Sequence, residues 1–176
     1  MFVKQIQVGH MAVFAYLVGD PITKDALVID PADDGKTILG AAATNGLRIN
    51  YIVNTHGHVD HIGGNAEMKR LTGAKIIVHA DDAVMLTSTP PAMLRMFGAT
   101  ASPPPDILVQ DGQILSVGNV ELAVIHTPGH SPGGICLYAP GYVFTGDTLF
   151  VEAVGRTDLP GGSWQTLYSA IKTKLF

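Results

Sequence analysis

The segment that most constrains this chain is His56-Gly57-His58-Val59-Asp60-His61, three imidazoles and one carboxylate within six residues, placed just after the apolar run Ile49–Asn54. All four side chains are borderline ligands suited to zinc, iron or manganese. The polar stretch from Thr55 to Gly64 reads as a loop beyond a strand end. In extended backbone residues i and i+2 point the same way, so His56 and His58 can close on one metal. The turn after Val59 then aims Asp60 and His61 at a second. Gly57 lets the backbone approach closely, and Gly63-Gly64 allows a tight entry into the next helix. A lone histidine or aspartate in a turn is usually a solvated group or a local cap. Four in six residues have few other uses than metal binding.

Two later turns extend the pattern. Thr127-Pro128-Gly129-His130-Ser131-Pro132-Gly133-Gly134 sets a histidine in a stiff Gly/Pro turn at the end of an apolar strand, and His130 is the candidate third ligand of the first metal. Phe144-Thr145-Gly146-Asp147-Thr148-Leu149-Phe150 does the same with an aspartate. The two oxygens of Asp147 can bridge divalent ions about 3.5–4 Å apart. Either residue alone reads as an ordinary turn residue.

The rest of the chain alternates strands and helices. Phe2–Val8, Val13–Val18 and Ala26–Ile29 are rich in Val, Ile and aromatics and predict three strands. Gly35 to Asn45 is helical by the spacing of Ile38, Leu39 and Ala42, with Gly46 as its stop. Asn65–Leu71 predicts a helix ending at Gly73, Lys75–Val78 a strand, and Asp81–Leu86 a helix capped by Asp81. Five prolines between Pro90 and Pro105 predict a surface excursion that can border a substrate site. Ile107–Val109, Gln113–Leu115, Glu121–Ile125, Ile135–Tyr138 and Tyr142–Thr145 predict a second sheet. Ser163 caps a final helix through Lys174, with Trp164, Leu167, Ile171 and Leu175 as its apolar stripe.

Composition narrows the function. A chain of 176 residues with 47% apolar content predicts a single domain over residues 1–176. A formal charge of −4, with no run of five Lys or Arg, leaves no footprint for nucleic acid or anionic lipid and favours a small-molecule substrate. The lone Cys136 cannot form an intramolecular disulfide, which favours a reducing, cytoplasmic setting. No run of 18 apolar residues predicts a membrane span.

The three motifs, Thr55 to His61, the Thr127 to Gly134 turn and Thr145 to Phe150, resemble in order and spacing those of metallo-β-lactamase-fold hydrolases, above all glyoxalase II-type thioesterases. Asp30-Pro31 after a strand and Gly155-Arg156-Thr157-Asp158 also fit the short branch of that group. The resemblance implies an α/β protein with four layers, an αββα sandwich with two divalent metals at one edge, zinc first with iron or manganese as alternatives. His56, His58 and His130 would hold one metal, Asp60 and His61 the other, with Asp147 between them. The family places one further histidine beyond the last helix of this sequence. By that measure the sequence lacks its last elements, and His10, His79 and His126 read as structural or surface residues.

The reaction implied is hydrolysis of an S-acylglutathione-like thioester by a hydroxide bridging the metals, with Asp60 as ligand and proton acceptor and Arg156 as a candidate contact for a substrate carboxylate. The partner expected is the small-molecule thioester itself, taken up by a monomer or homodimer. Two other readings stay open. His56, His130 and Asp147 form the two-histidine, one-carboxylate set of a mononuclear non-haem iron persulfide dioxygenase. A non-catalytic metal-binding fragment is the third.

Overall fold

A computed structural model describes all 176 residues. β1 (Phe2–Val8) and β2 (Val13–Gly19) form an antiparallel hairpin, and β3 (Asp25–Ile29) returns antiparallel beside β2. β4 (Arg48–Val53), β5 (Lys75–His79) and β6 (Ile107–Val109) then add in parallel, giving six strands in chain order. Parallel neighbours need crossovers. The first is α1 (Gly35–Thr44), and the second carries α2 (Val59–Ile62) and α3 (Asn65–Thr72).

The pleat sends alternate side chains of these strands into two cores. Ala26, Val28, Ile52 and Ile76 pack with Ile38, Ala42 and Met68 of the helices. Leu27, Ile29, Val53 and Ile77 pack instead with Leu122, Val124, Ile135 and Leu137 of a second sheet. Strands covered on both faces need continuous apolar runs, which explains the unbroken Ala26–Ile29.

The second sheet joins β7 (Ile114–Val117), β8 (Val120–His126), β9 (Ile135–Ala139) and β10 (Tyr142–Phe144) in the antiparallel order β10-β9-β8-β7. Two-residue turns at Gly118-Asn119 and Pro140-Gly141 fix its register. β11 (Leu149–Phe150) and β12 (Ala153–Val154) form a small separate hairpin beyond it. α6 (Trp164–Ala170) docks on the turn after β8, where Leu167 lies against Gly129. Lys174 ties the wider π-type turn that follows to Asp111 and to the His126 carbonyl. The two sheets pack face to face, with α1 and α3 over the outer face of the first and α6 against the turn after β8, a mixed α/β architecture in keeping with the resemblance.

Several local expectations change. Ile107–Val109 joins the first sheet, not the second, because it pairs in parallel with Ile77–His79 and Asp106 accepts the Ile76 N–H. The helix expected from Asp81 is a 3₁₀ turn, Ala80–Asp82, followed by the single turn α4 (Met85–Ser88). Its cap is the ring of His79, whose Nδ1 accepts the Asp81 N–H, so Asp81 caps nothing. The 90–105 stretch does lie at the surface, yet it contains α5 (Pro91–Phe97), none of whose residues is buried. Proline is compatible with a first helical turn, so Pro91 starts this helix rather than preventing it. In the last helix Ser163 accepts the Thr166 N–H as expected, and Leu167, Ala170 and Ile171 are buried. Trp164 remains half exposed, so the apolar stripe is narrower than its spacing suggests. No helix is long and apolar enough to cross a membrane.

Candidate metal centre

The candidate ligands sit in the turns that follow β4, β8 and β10, so strand ends from both sheets gather them at one edge. His130 Nε2 lies 2.9 Å from His58 Nδ1 and 3.2 Å from His56 Nε2. The other nitrogens settle which atoms carry protons. His130 Nδ1 is 2.7 Å from the Arg156 carbonyl, which can only accept, so the ring donates there and its Nε2 keeps a lone pair. The Thr55 hydroxyl donates to Asp30 Oδ2 at 2.6 Å, which leaves it to accept from His56 Nδ1 at 3.1 Å. His56 Nε2 therefore presents a lone pair as well. Two lone pairs facing each other at 3.2 Å repel, and either an N–H donated by His58 Nδ1 to His130 or a cation among the three nitrogens relieves this. The donor set fits a divalent cation bound by His56, His58 and His130, whose nitrogens lie within 4.8 Å of one another.

His61 turns the other way. α2 begins at Val59 and breaks the extended pattern, so Asp60 and His61 leave the face that His56 and His58 share. His61 Nδ1 is 3.0 Å from Asp30 Oδ2, and its Nε2 is 3.2 Å from Asp147 Oδ1 and 3.9 Å from Asp60 Oδ2. The second oxygen of Asp147 is 3.5 Å from His130 Nε2. Asp147 thus stands between the histidine trio and the Asp60–His61 pair, one oxygen toward each. The six residues singled out in the sequence form one continuous cluster.

Charge and burial divide the histidines. Burial, and then the neighbouring imidazoles, push His56 well below the usual histidine range, and burial with His130 lowers His58. Burial also opposes charge on His61, but Asp30 and Asp147 outweigh it and raise the ring to about 10. Burial works against the Asp147 carboxylate, but the bond to His61 together with the charges of His61, His130 and His58 outweighs it, leaving its pKa lowered.

This has a pH consequence for the metal-free protein. A histidine raised from 6.5 to about 10 on folding contributes stability in full below pH 6.5 and loses it as pH rises toward 10. The unfolding midpoint of chelator-treated protein is expected to fall between pH 7 and 10. His61→Gln should flatten that slope, and an unchanged slope in the variant would place its origin elsewhere.

The Arg156 side chain is exposed. Its guanidinium forks onto Asp158, with both N–O distances 2.7 Å, and it is its backbone carbonyl that enters the site by orienting His130. His79 and His126 stack on each other 3.9 Å apart, away from the centre, and the His10 ring lies 6.3 Å from that of Phe97. None of the three joins the cluster.

Asp30 is more deeply involved than its place in the sequence suggests. It is buried and accepts the Thr55 N–H at 2.7 Å as well as the Thr55 hydroxyl and His61. Its φ of 47° is a left-handed conformation that asparagine and aspartate tolerate better than other residues with a side chain. An acid placed directly after a Val/Ile strand was the visible signal. Asp60 is a quarter exposed and lines an open cleft of about 350 Å³ together with Val8, Met11, Val59, Phe97 and Ala99.

Comparison with known proteins identifies the family of the chain. The family model described as "Metallo-beta-lactamase superfamily" matches residues 8–176. The hydroxyacylglutathione hydrolase GloC of Haemophilus influenzae is 33% identical over 157 residues, covering 86% of this chain and 74% of that protein. The crystal structure of the B3 metallo-beta-lactamase BLEG-1 superposes with a TM-score of 0.89 at 31% identity, covering 99% of this chain and 85% of that one. That of TTHA1623, in a di-iron-bound form, gives 0.85 at 32% identity, covering 97% and 84%. The chain belongs to the metallo-beta-lactamase superfamily of metal-binding hydrolases.

Proposed function

We propose that this protein is a two-metal thioester hydrolase of glyoxalase II type, acting on S-acylglutathione-like substrates. The observation that carries the reading is the carboxylate of Asp147, which has one oxygen beside His61 and the other beside His130. A bidentate acid in that position suits a pair of ions better than a single one. His56, His58 and His130 would hold the first ion, Asp60 and His61 the second, with Asp147 shared. Zinc is the first choice of metal, with iron and manganese as alternatives. Bound there, divalent metals supply Lewis acidity and a water acidified to near neutral pH.

The protein's own groups do the rest. Asp60, the candidate ligand that also faces the open cleft, is placed to accept a proton as well as to bind. Asp30 and the Arg156 carbonyl hold His61 and His130 in their orientations. The cleft beside Asp60 mixes apolar residues with His10, Asp33 and Asp60 and has no lysine or arginine among its lining residues, which disfavours a carboxylate there. A contact between Arg156 and a substrate carboxylate would have to displace Asp158. A thiolate leaves readily, so no separate general acid is required. Likeness to GloC supports this substrate class. The single cysteine, buried as Cys136, is in keeping with a reducing cytoplasm, and the partner proposed is the small molecule alone, with the chain as monomer or homodimer.

The test is thiol release from S-lactoylglutathione by metal-loaded protein, set against oxygen consumption by iron-loaded protein given a persulfide. Thiol release that disappears with chelator and returns with zinc supports the reading. Oxygen consumption without thioester cleavage would replace it with the dioxygenase, for which His56, His130 and Asp147 are the ligand set.

A further inference from the structure

The two histidine-bearing turns of the first metal site lie 72 residues apart in sequence, and the backbone hydrogen bond from the Ile135 N–H to the Thr55 carbonyl ties their flanks but falls outside the His56–His58 and His130–Gly133 stretches themselves. A third element holds them. Asp82, in the 3₁₀ turn after β5, is fully buried and aims its carboxylate between the two. Its Oδ2 accepts the Gly57 N–H at 2.9 Å and the Ser131 hydroxyl at 2.7 Å. Its Oδ1 accepts the Gly133 N–H at 2.6 Å. Gly57 lies between His56 and His58, and Ser131 directly follows His130. Each turn is therefore gripped within one residue of its ligands.

Close packing enforces the same contact. A Cβ on Gly57 would lie 2.5 Å from Met85 Cβ and 3.2 Å from the Asp82 carbonyl oxygen. One on Gly133 would lie 2.6 Å from the Asp82 nitrogen. Both positions need glycine because the 82–85 segment presses on both turns. The segment is anchored in its turn by His79, which caps it from the end of β5.

We propose that Asp82 is a positioning residue of the metal centre: by clamping Gly57, Ser131 and Gly133 it sets the relative placement of His56, His58 and His130, and so the affinity of the first metal site. The inference rests on the two-metal reading above. A carboxylate is required because all three partners donate. The Asp82→Asn side chain would point its NH₂ at one set of donors and leave at least one buried N–H without an acceptor.

The experiment measures Co(II) binding by chelator competition and the Co(II) absorption spectrum for the wild type, Asp82→Asn and Ser131→Ala. A core variant remote from the site, Leu122→Ala, controls for loss of stability, and the melting midpoint of each metal-free protein is recorded. Asp82→Asn is expected to weaken Co(II) binding about 10–100-fold, the usual effect of losing a group that orients a ligand, and to shift the visible bands. Ser131→Ala, which removes one bond of three, should lie between it and the wild type and report even if Asp82→Asn folds poorly. Wild-type affinity and spectrum in both variants, or losses no greater than Leu122→Ala gives at equal destabilisation, would overturn the proposal. Failure of the wild type itself to bind Co(II) would instead remove the two-metal reading on which it rests.

Discussion

His58→Ala is expected to abolish metal-dependent hydrolysis while leaving the stability of the metal-free protein within about 1 kcal/mol of the wild type. Both halves follow from the crowding of the trio. His58 is only partly buried and belongs to neither apolar core, so removing its ring opens no core cavity. Its Nδ1 lies 2.9 Å from the His130 nitrogen that carries a lone pair, so in the metal-free protein the neutral ring can donate one hydrogen bond there, and the substitution removes that bond, worth about 1 kcal/mol. The lowered pKa of His58, from burial and then from His130, favours the neutral ring, the form that binds a metal. Loss of one of three protein ligands should therefore weaken the first metal by roughly a hundredfold or more, the upper end of what losing a group that merely orients a ligand produces. Differential scanning calorimetry with and without zinc separates the effects. At zinc about a hundred times its dissociation constant the wild type should gain about 2.7 kcal/mol, and the variant should gain far less. Full turnover in the variant would remove His58 from the metal site.

Asp30→Ala is expected to give the largest loss of stability at the site. The carboxylate serves Thr55 twice and His61 once, and in the ion pair with His61 the two side chains are only 3% and 5% exposed. Removing one partner of a buried pair leaves the other charge uncompensated, at a cost of about 3–5 kcal/mol. For a chain of this size that is a fall in melting midpoint of roughly 10 °C. The Thr55 hydroxyl would lose its acceptor too, and with it the reason to accept from His56. Asp30→Asn keeps the left-handed backbone and one acceptor oxygen, so it should fall between alanine and wild type. It should also flatten the alkaline loss of stability assigned to His61. A melting midpoint within about 2 °C of wild type for Asp30→Ala, at pH 7 and without metal, would show that this pair does not hold the site together.

Much of this was legible because local chemistry and fold agree along the chain. The first ligand-bearing turn announced itself by composition, since three histidines and an aspartate in six residues leave little room for a bland reading, whereas His130 and Asp147 alone read as ordinary turn residues and gained weight only beside it. The continuous run Ala26–Ile29 marked a strand covered on both faces, and its alternate residues do divide between two cores. What escaped depends on partners distant in sequence. β6 has three residues, too few for a period, and only its pairing with β5 assigns it to the first sheet. α5 was hidden among prolines because one of them occupies the first turn, where proline costs nothing. Asp30 shows in the sequence only as an acid directly after an apolar strand, and Asp82 only as a position inside the expected 81–86 helix, since nothing in their neighbourhoods records that Thr55 and His61, or Gly57, Ser131 and Gly133, would come to them. Arg156 drew attention for its charge, whereas the part of it inside the site is a carbonyl oxygen that any residue would supply.

The most direct test of the central claim is the number of metal ions per chain, measured by plasma emission spectrometry on protein purified without added metal and again after loading with zinc. Two equivalents after loading, falling to at most one in His61→Ala, are the expected result, because His61 and Asp60 have no place in a single-ion site. A wild type that saturates at one equivalent, or binds none, would contradict the two-metal account.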